Sequence, residues 1–167
     1  MSRCPATQLS LEYLRLQNKV PWIVERLIPS KPFPKRVDLF NLFDLLYLDP
    51  DLQQIGFVQT TSWTNRHSRK KKMEAGGEPF RVLWSMPSAR TELHAWRKVD
   101  GRWEVFVWES RFSYTPFSQG DGGMVILQSV QVPTMAEARA MARARERGII
   151  SDTCPDAREG RTIRRIS

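Results

Sequence analysis

Cysteine is scarce in this chain of 167 residues: Cys4 and Cys154 lie near opposite ends, with no CxxC and no Cys/His spacing around either. Neither a zinc site nor a disulfide framework is signalled, and free thiols in a reducing cytoplasm are the simpler expectation. Histidine is just as thin, since His67 and His94 stand too far apart to suggest a ligand pair. No apolar run approaches membrane-spanning length, and the opening Met-Ser-Arg-Cys-Pro-Ala-Thr lacks the apolar stretch of a secretory signal. A soluble cytoplasmic protein with no membrane partner follows as the expectation. The sequence carries no internal repeat and no base-reading motif.

What is present argues for a folded, basic domain. Hydrophobic residues make up 41% of the chain and aromatics 10%, enough for one domain with a real core plus an appendage. Lysine and arginine number 26 against 18 acidic residues, a formal net charge of +8. A cationic surface of that kind suits a polyanionic partner, because neutralising phosphates releases counterions. DNA is the partner expected, with RNA equally compatible with charge alone.

The pattern of elements predicts an α/β (α+β) fold. Leu9, Leu11, Leu14 and Leu16 with Tyr13 predict a first helix over 6–17, with Thr7 as its cap, and 22–27 reads as the first strand. Pro29 to Pro34 reads as a stiff extended connection. Apolar residues on both faces of 45–48 and 55–58 predict interior strands covered on both sides. A second helix is expected over 65–73, another short helical piece over 79–86, and strands over 91–99 and 103–109 flanking the hairpin signal Asp100-Gly101. Residues 1–109 form the expected core domain. A loop, a strand over 124–132 and a helix opened by the capping box Thr134 to Glu137 make an extension over 110–150, and 151–167 reads as a flexible basic tail.

The stretch from Asp44 to Lys72 carries the most chemistry. With 49–54 as a turn, Leu48 falls opposite Ile55, so Asp44 comes across from Gln59, and period-two alternation puts Thr61 on the same face. A carboxylate, an amide and a hydroxyl then converge at the end of a hairpin. Hard oxygen donors of this kind suit magnesium, which needs only one or two protein ligands when water and substrate phosphate supply the rest. The basic segment that follows places Arg66, Arg69 and Lys70 at i, i+3 and i+4 on one helix face, with Lys72 close behind.

This arrangement resembles the PD-(D/E)XK, or restriction-endonuclease-like, nucleases, whose core is a helix, three strands, a helix and a final strand. The resemblance covers about Leu9 to Trp108, and small phage and bacterial proteins with Glu, Asp-Leu-Phe-x-x-x-Asp and Gln-x-Thr are similar to it. It implies a central mixed sheet flanked by helices, with Asp44 as the first metal-binding residue and Gln59-Thr60-Thr61 in the place of the second acid, spacer and lysine. Some members carry Gln in place of the acid. Members without the lysine can supply a cation from the following helix, which here offers Arg66, Arg69 and Lys70. Glu25 is the implied accessory acid, with Glu12 of the first helix the other candidate. The implied catalytic set is Asp44, Gln59, Thr61 and Glu25, with Asp44 and Gln59 holding Mg2+ or Mn2+, and Arg66, Arg69, Lys70 and Lys72 binding nucleic acid. Many relatives that cut both strands act as dimers, so a homodimer is compatible with the resemblance.

Each residue also has a plainer reading. Asp44 alone could end a strand, Gln59 alone could satisfy a sheet edge, and a run such as Arg69 to Lys72 is often a solvated face. Six tryptophans in one small domain mostly imply core packing, which weighs against Trp63 as a base-stacking residue. Three functions are therefore compatible with the sequence: a magnesium-dependent DNA phosphodiesterase, a nuclease-like protein that binds nucleic acid without cutting it, and a phage structural or interaction module that docks through the C-terminal strand and helix.

Overall fold

The computed structural model describes residues 5–29, 35–76, 82–83, 85–113 and 124–149. They form a mixed α/β fold: a helix α1 (Pro5–Leu16), strands β1 (Val20–Ile23), β2 (Arg26–Ile28), β3 (Lys35–Val37), β4 (Leu45–Asp49) and β5 (Gln54–Ser62), and a 3-10 turn at Trp63–Asn65. Helix α2 (Arg66–Glu74), strands β6 (Ala89–Val99), β7 (Arg102–Ser113) and β8 (Met124–Val130), and helix α3 (Met135–Glu146) follow. Six strands make one sheet in the order β1-β4-β5-β6-β7-β8, and β2 and β3 pair separately. Every pairing in the large sheet is antiparallel except β5 with β6, whose parallel register follows from the crossover through α2.

The two faces of the sheet are covered by different helices. Residues Ala6, Thr7, Ser10, Leu11, Tyr13 and Leu14 of α1 are buried at helical spacing. They pack with Leu45, Tyr47 and Val58 in one cluster, and with Trp96, Val105, Val107 and the α3 residues Met135 and Ala138 in another. On the opposite face, Met73 is the buried residue of α2, set among Leu42, Phe43, Phe57, Leu93 and Leu127. Helix α2 is otherwise polar, so this one anchor and its connections hold it in place more than intrinsic amphipathicity does. Burial on both faces explains why Phe57 to Thr61 is inaccessible along its length.

Several expectations hold in detail. Leu48 pairs with Ile55, Asp100 and Gly101 both take positive φ as a type I′ turn requires, and the Thr134 capping box is complete on both sides. The strand and helix expected beyond residue 110 are built into the same sheet and core, with β8 paired to β7 and the Tyr13 hydroxyl donating to the Pro133 carbonyl across to the start of α3.

Others need correction. The first helix begins at Pro5, and Thr7 is no cap: it lies inside the first turn, where its buried hydroxyl meets that of Thr60 at 3.0 Å. The segment expected as one strand over 22–27 is two, because β1 ends at Ile23 and the backbone N–H of Val24 turns to donate to the Asp44 carbonyl. Pro21 sits within β1, which is tolerated because β1 is an edge strand. The β4–β5 hairpin is interior along most of its length, yet at its turn end Leu48 is 49% and Ile55 39% exposed. Of the tryptophans described only Trp96 is buried, and Trp22 on the edge is 71% exposed. The Pro-rich connection lies almost wholly outside the described residues, as does half of the helical piece expected over 79–86, of which 82, 83 and 85 are described and helical.

Candidate active site

Asp44 stands at the bend just before β4, where its backbone is held on both sides: its N–H donates to the Val58 carbonyl and its own carbonyl accepts from Val24. The carboxylate is fixed more firmly still. Its Oδ2 accepts from the Gln59 side-chain amide at 2.7 Å, the Thr60 backbone N–H at 2.7 Å and the Thr60 hydroxyl at 2.8 Å. Thr60 is in turn held from α1 by Thr7. One helix, one bend and one central strand thus define the position of a single carboxylate oxygen.

Asp44 and Gln59 are therefore in contact, as their register in the sequence implies. Gln59 is buried, its amide nitrogen turned to Asp44 and to the Thr60 carbonyl, while its Oε1 is buried without a hydrogen-bond partner. An orphaned buried amide oxygen is costly, roughly 1–3 kcal/mol, unless something else satisfies it. Burial pushes the Asp44 carboxyl up to about 6; the Thr60 bonds oppose this, and the carboxylates of Asp38 and Glu25 add to it. Glu25, the expected accessory acid, thus lies close enough to act on Asp44. Glu12, the other candidate, is engaged elsewhere, accepting from Arg139 of α3 at 2.7 Å.

The remaining predicted residues spread along the following turn and helix. Thr61 is buried on the Gln59 side of β5, but the hydroxyl that bonds Asp44 is that of Thr60, the residue expected to be a spacer. Arg66 lies over the Trp63 ring with its guanidinium 3.7 Å from the centroid and donates to the Trp63 carbonyl. Lys70 pairs with Glu74 at 3.7 Å. Lys72 donates to the carbonyl of Asn41, in the turn that leads to Asp44, so among the four predicted cations it is the one tied to the approach to the carboxylate.

Sequence reasoning gave no role to Asp38, which heads the Asp-Leu-Phe-x-x-x-Asp run, took Thr60 for a spacer, and missed a buried polar chain on the α1 face. In that chain Tyr47 donates to Glu92 at 2.5 Å, His94 Nε2 bonds the other Glu92 oxygen at 2.9 Å, and Ser10 accepts from the Trp96 indole N–H at 2.8 Å and faces His94 Nδ1 at 3.3 Å. All these side chains are buried. With Ser10 inaccessible, the Ser, His and Glu set is a satisfied core network with no route for a substrate. Its signal was present in Glu92, His94 and Trp96, polar-capable residues at period two with the small or apolar Leu93 and Ala95 between them.

The donors around Asp44 fit a hard divalent cation in chemistry: carboxylate and amide oxygens, one of them orphaned, amid mutually repelling carboxylates. Among the described residues no group of three or more His, Cys, Asp or Glu side chains is placed to hold a metal ion. No described helix is long and apolar enough to cross a membrane. No family model, curated protein or solved structure matches the chain.

Proposed function

We propose that the protein is a metal-dependent nuclease that hydrolyses DNA phosphodiester bonds, with a restriction-endonuclease-like core and its active site at Asp44. The observation that carries this reading is the contact of Gln59, at 2.7 Å, with the half-buried Asp44 carboxylate, whose proton affinity is raised by burial and by neighbouring acids. Ionising such a group is costly without a compensating cation. The chain order of a helix, three strands of the large sheet, a helix and a parallel strand also fits the implied core.

In this reading Asp44 and Gln59 hold magnesium or manganese, with Glu25 as an accessory acid. When bound, the ion supplies Lewis-acid activation of the phosphodiester and of water. The contribution of the chain is orientation and charge. Thr60 fixes Asp44 through two hydrogen bonds to the same oxygen, and the carboxylate would serve as the charged ligand. Gln59 Oε1, satisfied by nothing else, provides the neutral donor. Arg66, Arg69, Lys70 and Lys72 of α2 hold the phosphate backbone, and Lys72, tied to the turn before Asp44, is the best-placed substitute for the family lysine that Thr61 replaces.

One observation favours a second reading, a nuclease-like protein that only binds nucleic acid: the Gln59 amide nitrogen, not its oxygen, faces Asp44. The two readings separate by incubating the protein with duplex, branched and single-stranded DNA and with RNA, in magnesium, manganese or chelator. Cleavage that requires the metal supports the nuclease. Retention on nucleic acid with no cleavage of any form supports the binding protein, and metal-independent cleavage contradicts the mechanism.

A further inference from the structure

Beyond the Asp44 site, the same face of the sheet carries a layer of aromatic rings and guanidinium groups, of which Trp108 also packs against the core cluster and Arg66 also belongs to the phosphate-binding set of α2. The Trp63 ring lies 4.4 Å from Phe106, and Trp108 lies 6.3 Å from Trp63 and 6.5 Å from Phe106. Arg66 covers Trp63 at 3.7 Å, and Arg97 approaches Trp63 at 5.1 Å and Phe106 at 4.7 Å. Both cations are braced in these positions, Arg66 by the Trp63 carbonyl at 2.7 Å and Arg97 by Glu104 at 2.8 Å.

None of the five side chains is buried, and the Arg97 side chain is 40% exposed. Guanidinium groups lie over partly open rings, which presents aromatic surface and positive charge together. That pairing is the chemistry that takes unpaired bases and the phosphates between them, by stacking on aromatic and guanidinium planes. In a duplex those base faces are already stacked on one another.

The register relates the layer to the candidate site. Gln59 pairs with Leu93 and Leu93 with Trp108, while Thr61 pairs with Ala95 and Ala95 with Phe106. Alternation puts all six on one face, so Phe106 lies two strands from Thr61, roughly 10 Å away. We infer that Trp63, Phe106 and Trp108, with Arg66 and Arg97, form a docking surface for the unpaired bases of a single-stranded nucleic-acid segment that leads to or from Asp44. This rests on the reading of the chain as a nucleic-acid enzyme or binder, and it names the form of substrate the site takes.

The test is affinity in chelator, by fluorescence anisotropy, for a mixed-sequence single strand of about 12 nucleotides, its duplex, and an abasic strand with the same number of phosphates. Wild type should prefer the single strand to the abasic strand by roughly tenfold or more, since each stacked base is worth about 1–3 kcal/mol. Trp63→Ala should remove most of that preference and leave abasic binding nearly unchanged. Because Trp63 also fastens the start of α2, Arg66→Lys and Arg97→Lys serve beside it: they keep the charge, lose the plane, and should lower single-strand affinity several-fold in protein with an unchanged melting temperature. Equal affinity for single strand and abasic strand, or folded variants that bind the single strand as wild type does, would overturn the inference and leave an electrostatic surface only. Metal-dependent duplex cleavage alongside either result would spare the nuclease reading. Single-strand binding with no cleavage would remove the nuclease and keep the docking surface, and a protein that binds no nucleic acid would remove both.

Discussion

Gly56 shows how one residue fixes a register. It lies directly across from Tyr47 in the β4–β5 pair, and a Cβ at that position would overlap the Tyr47 ring. The bare backbone lets the ring lie across β5 and carry its hydroxyl to Glu92. Gly56→Ala should therefore displace Tyr47 and lower stability by about 1–3 kcal/mol, the usual cost of overpacking a core, as measured by chemical denaturation. An unchanged midpoint would mean that Tyr47 has another position to occupy. Glu92 itself is opposed by burial, but the hydrogen bond from His94, the charges of Lys19 and His94, and the bond from Tyr47 outweigh it and hold its carboxyl down at about 2. A depressed folded-state value contributes stability above the ordinary carboxylate range, and that stability is lost as pH falls from about 4.5 toward 2. Glu92→Gln should accordingly be most destabilising at neutral pH, by roughly 3–5 kcal/mol, with the gap from wild type narrowing below pH 4.5. A gap that stays constant with pH would contradict the role of ionised Glu92 in the network.

Asp44 has the opposite sign. Its carboxyl is raised from the ordinary 3.8 to about 6, so the stabilisation that comes from holding it neutral is complete below pH 3.8 and is lost as pH rises through 6. At about pH 8 without metal, wild type carries a half-buried carboxylate that Asp44→Asn does not. The variant should then be more stable by roughly 1–2 kcal/mol, because a pKa unit is worth about 1.4 kcal/mol and asparagine keeps an acceptor oxygen for Thr60. The difference should vanish near about pH 4. Thermal melts in chelator at the two pH values read this directly, and a variant less stable than wild type under the alkaline condition would show that Asp44 is there to hold the bend. Stability given up at one charged residue is the usual mark of a functional position.

At the scale of elements, the sequence made the hairpin legible and the first strands not. Apolar residues on both faces of 45–48 and 55–58, with turn residues between, leave one register, and from it the contact of Asp44 with Gln59 follows. Asp100-Gly101 and the Thr134 box were readable for the same reason, since short motifs with one low-energy geometry encode themselves locally. The break between β1 and β2 was not readable, because it depends on Val24 reaching across to Asp44. Nor was the role of Thr60: alternation assigns it to the other face, and only the bend of Asp44 out of its strand brings the carboxylate to it. Helix α2 was found by its boundaries, while its orientation rests on Met73 and on Lys72 at the Asn41 carbonyl. Neutralising Arg69, Lys70 and Lys72 together should weaken duplex binding and flatten its dependence on salt, by roughly 0.9 in log–log slope for each phosphate that is no longer neutralised. An unchanged salt titration would move the interface elsewhere, with Arg143 and Arg147 of α3 and its C-terminal cap the next surface to test.

For the whole molecule, a net charge of +8 on a fold of two helical layers around a mixed sheet leaves much positive charge outside the core. Two carboxylates, Glu92 buried and Asp44 half-buried, are treated in two ways. Glu92 is fully compensated by hydrogen bonds on the α1 side, whereas Asp44 is held rigidly but left under-compensated beside Asp38, Glu25 and an orphaned amide oxygen. That contrast is the physical basis for assigning chemistry to one and structure to the other. The measurement that bears on it most directly is DNA cleavage and DNA affinity in parallel, for wild type and Asp44→Asn, in magnesium, manganese and chelator. The proposed mechanism predicts metal-dependent cutting by wild type, none by the variant, and affinities in chelator that differ by less than about threefold, since Asp44 holds the ion and not the phosphate backbone. Equal cutting by the two proteins, or cutting that persists in chelator, would contradict it.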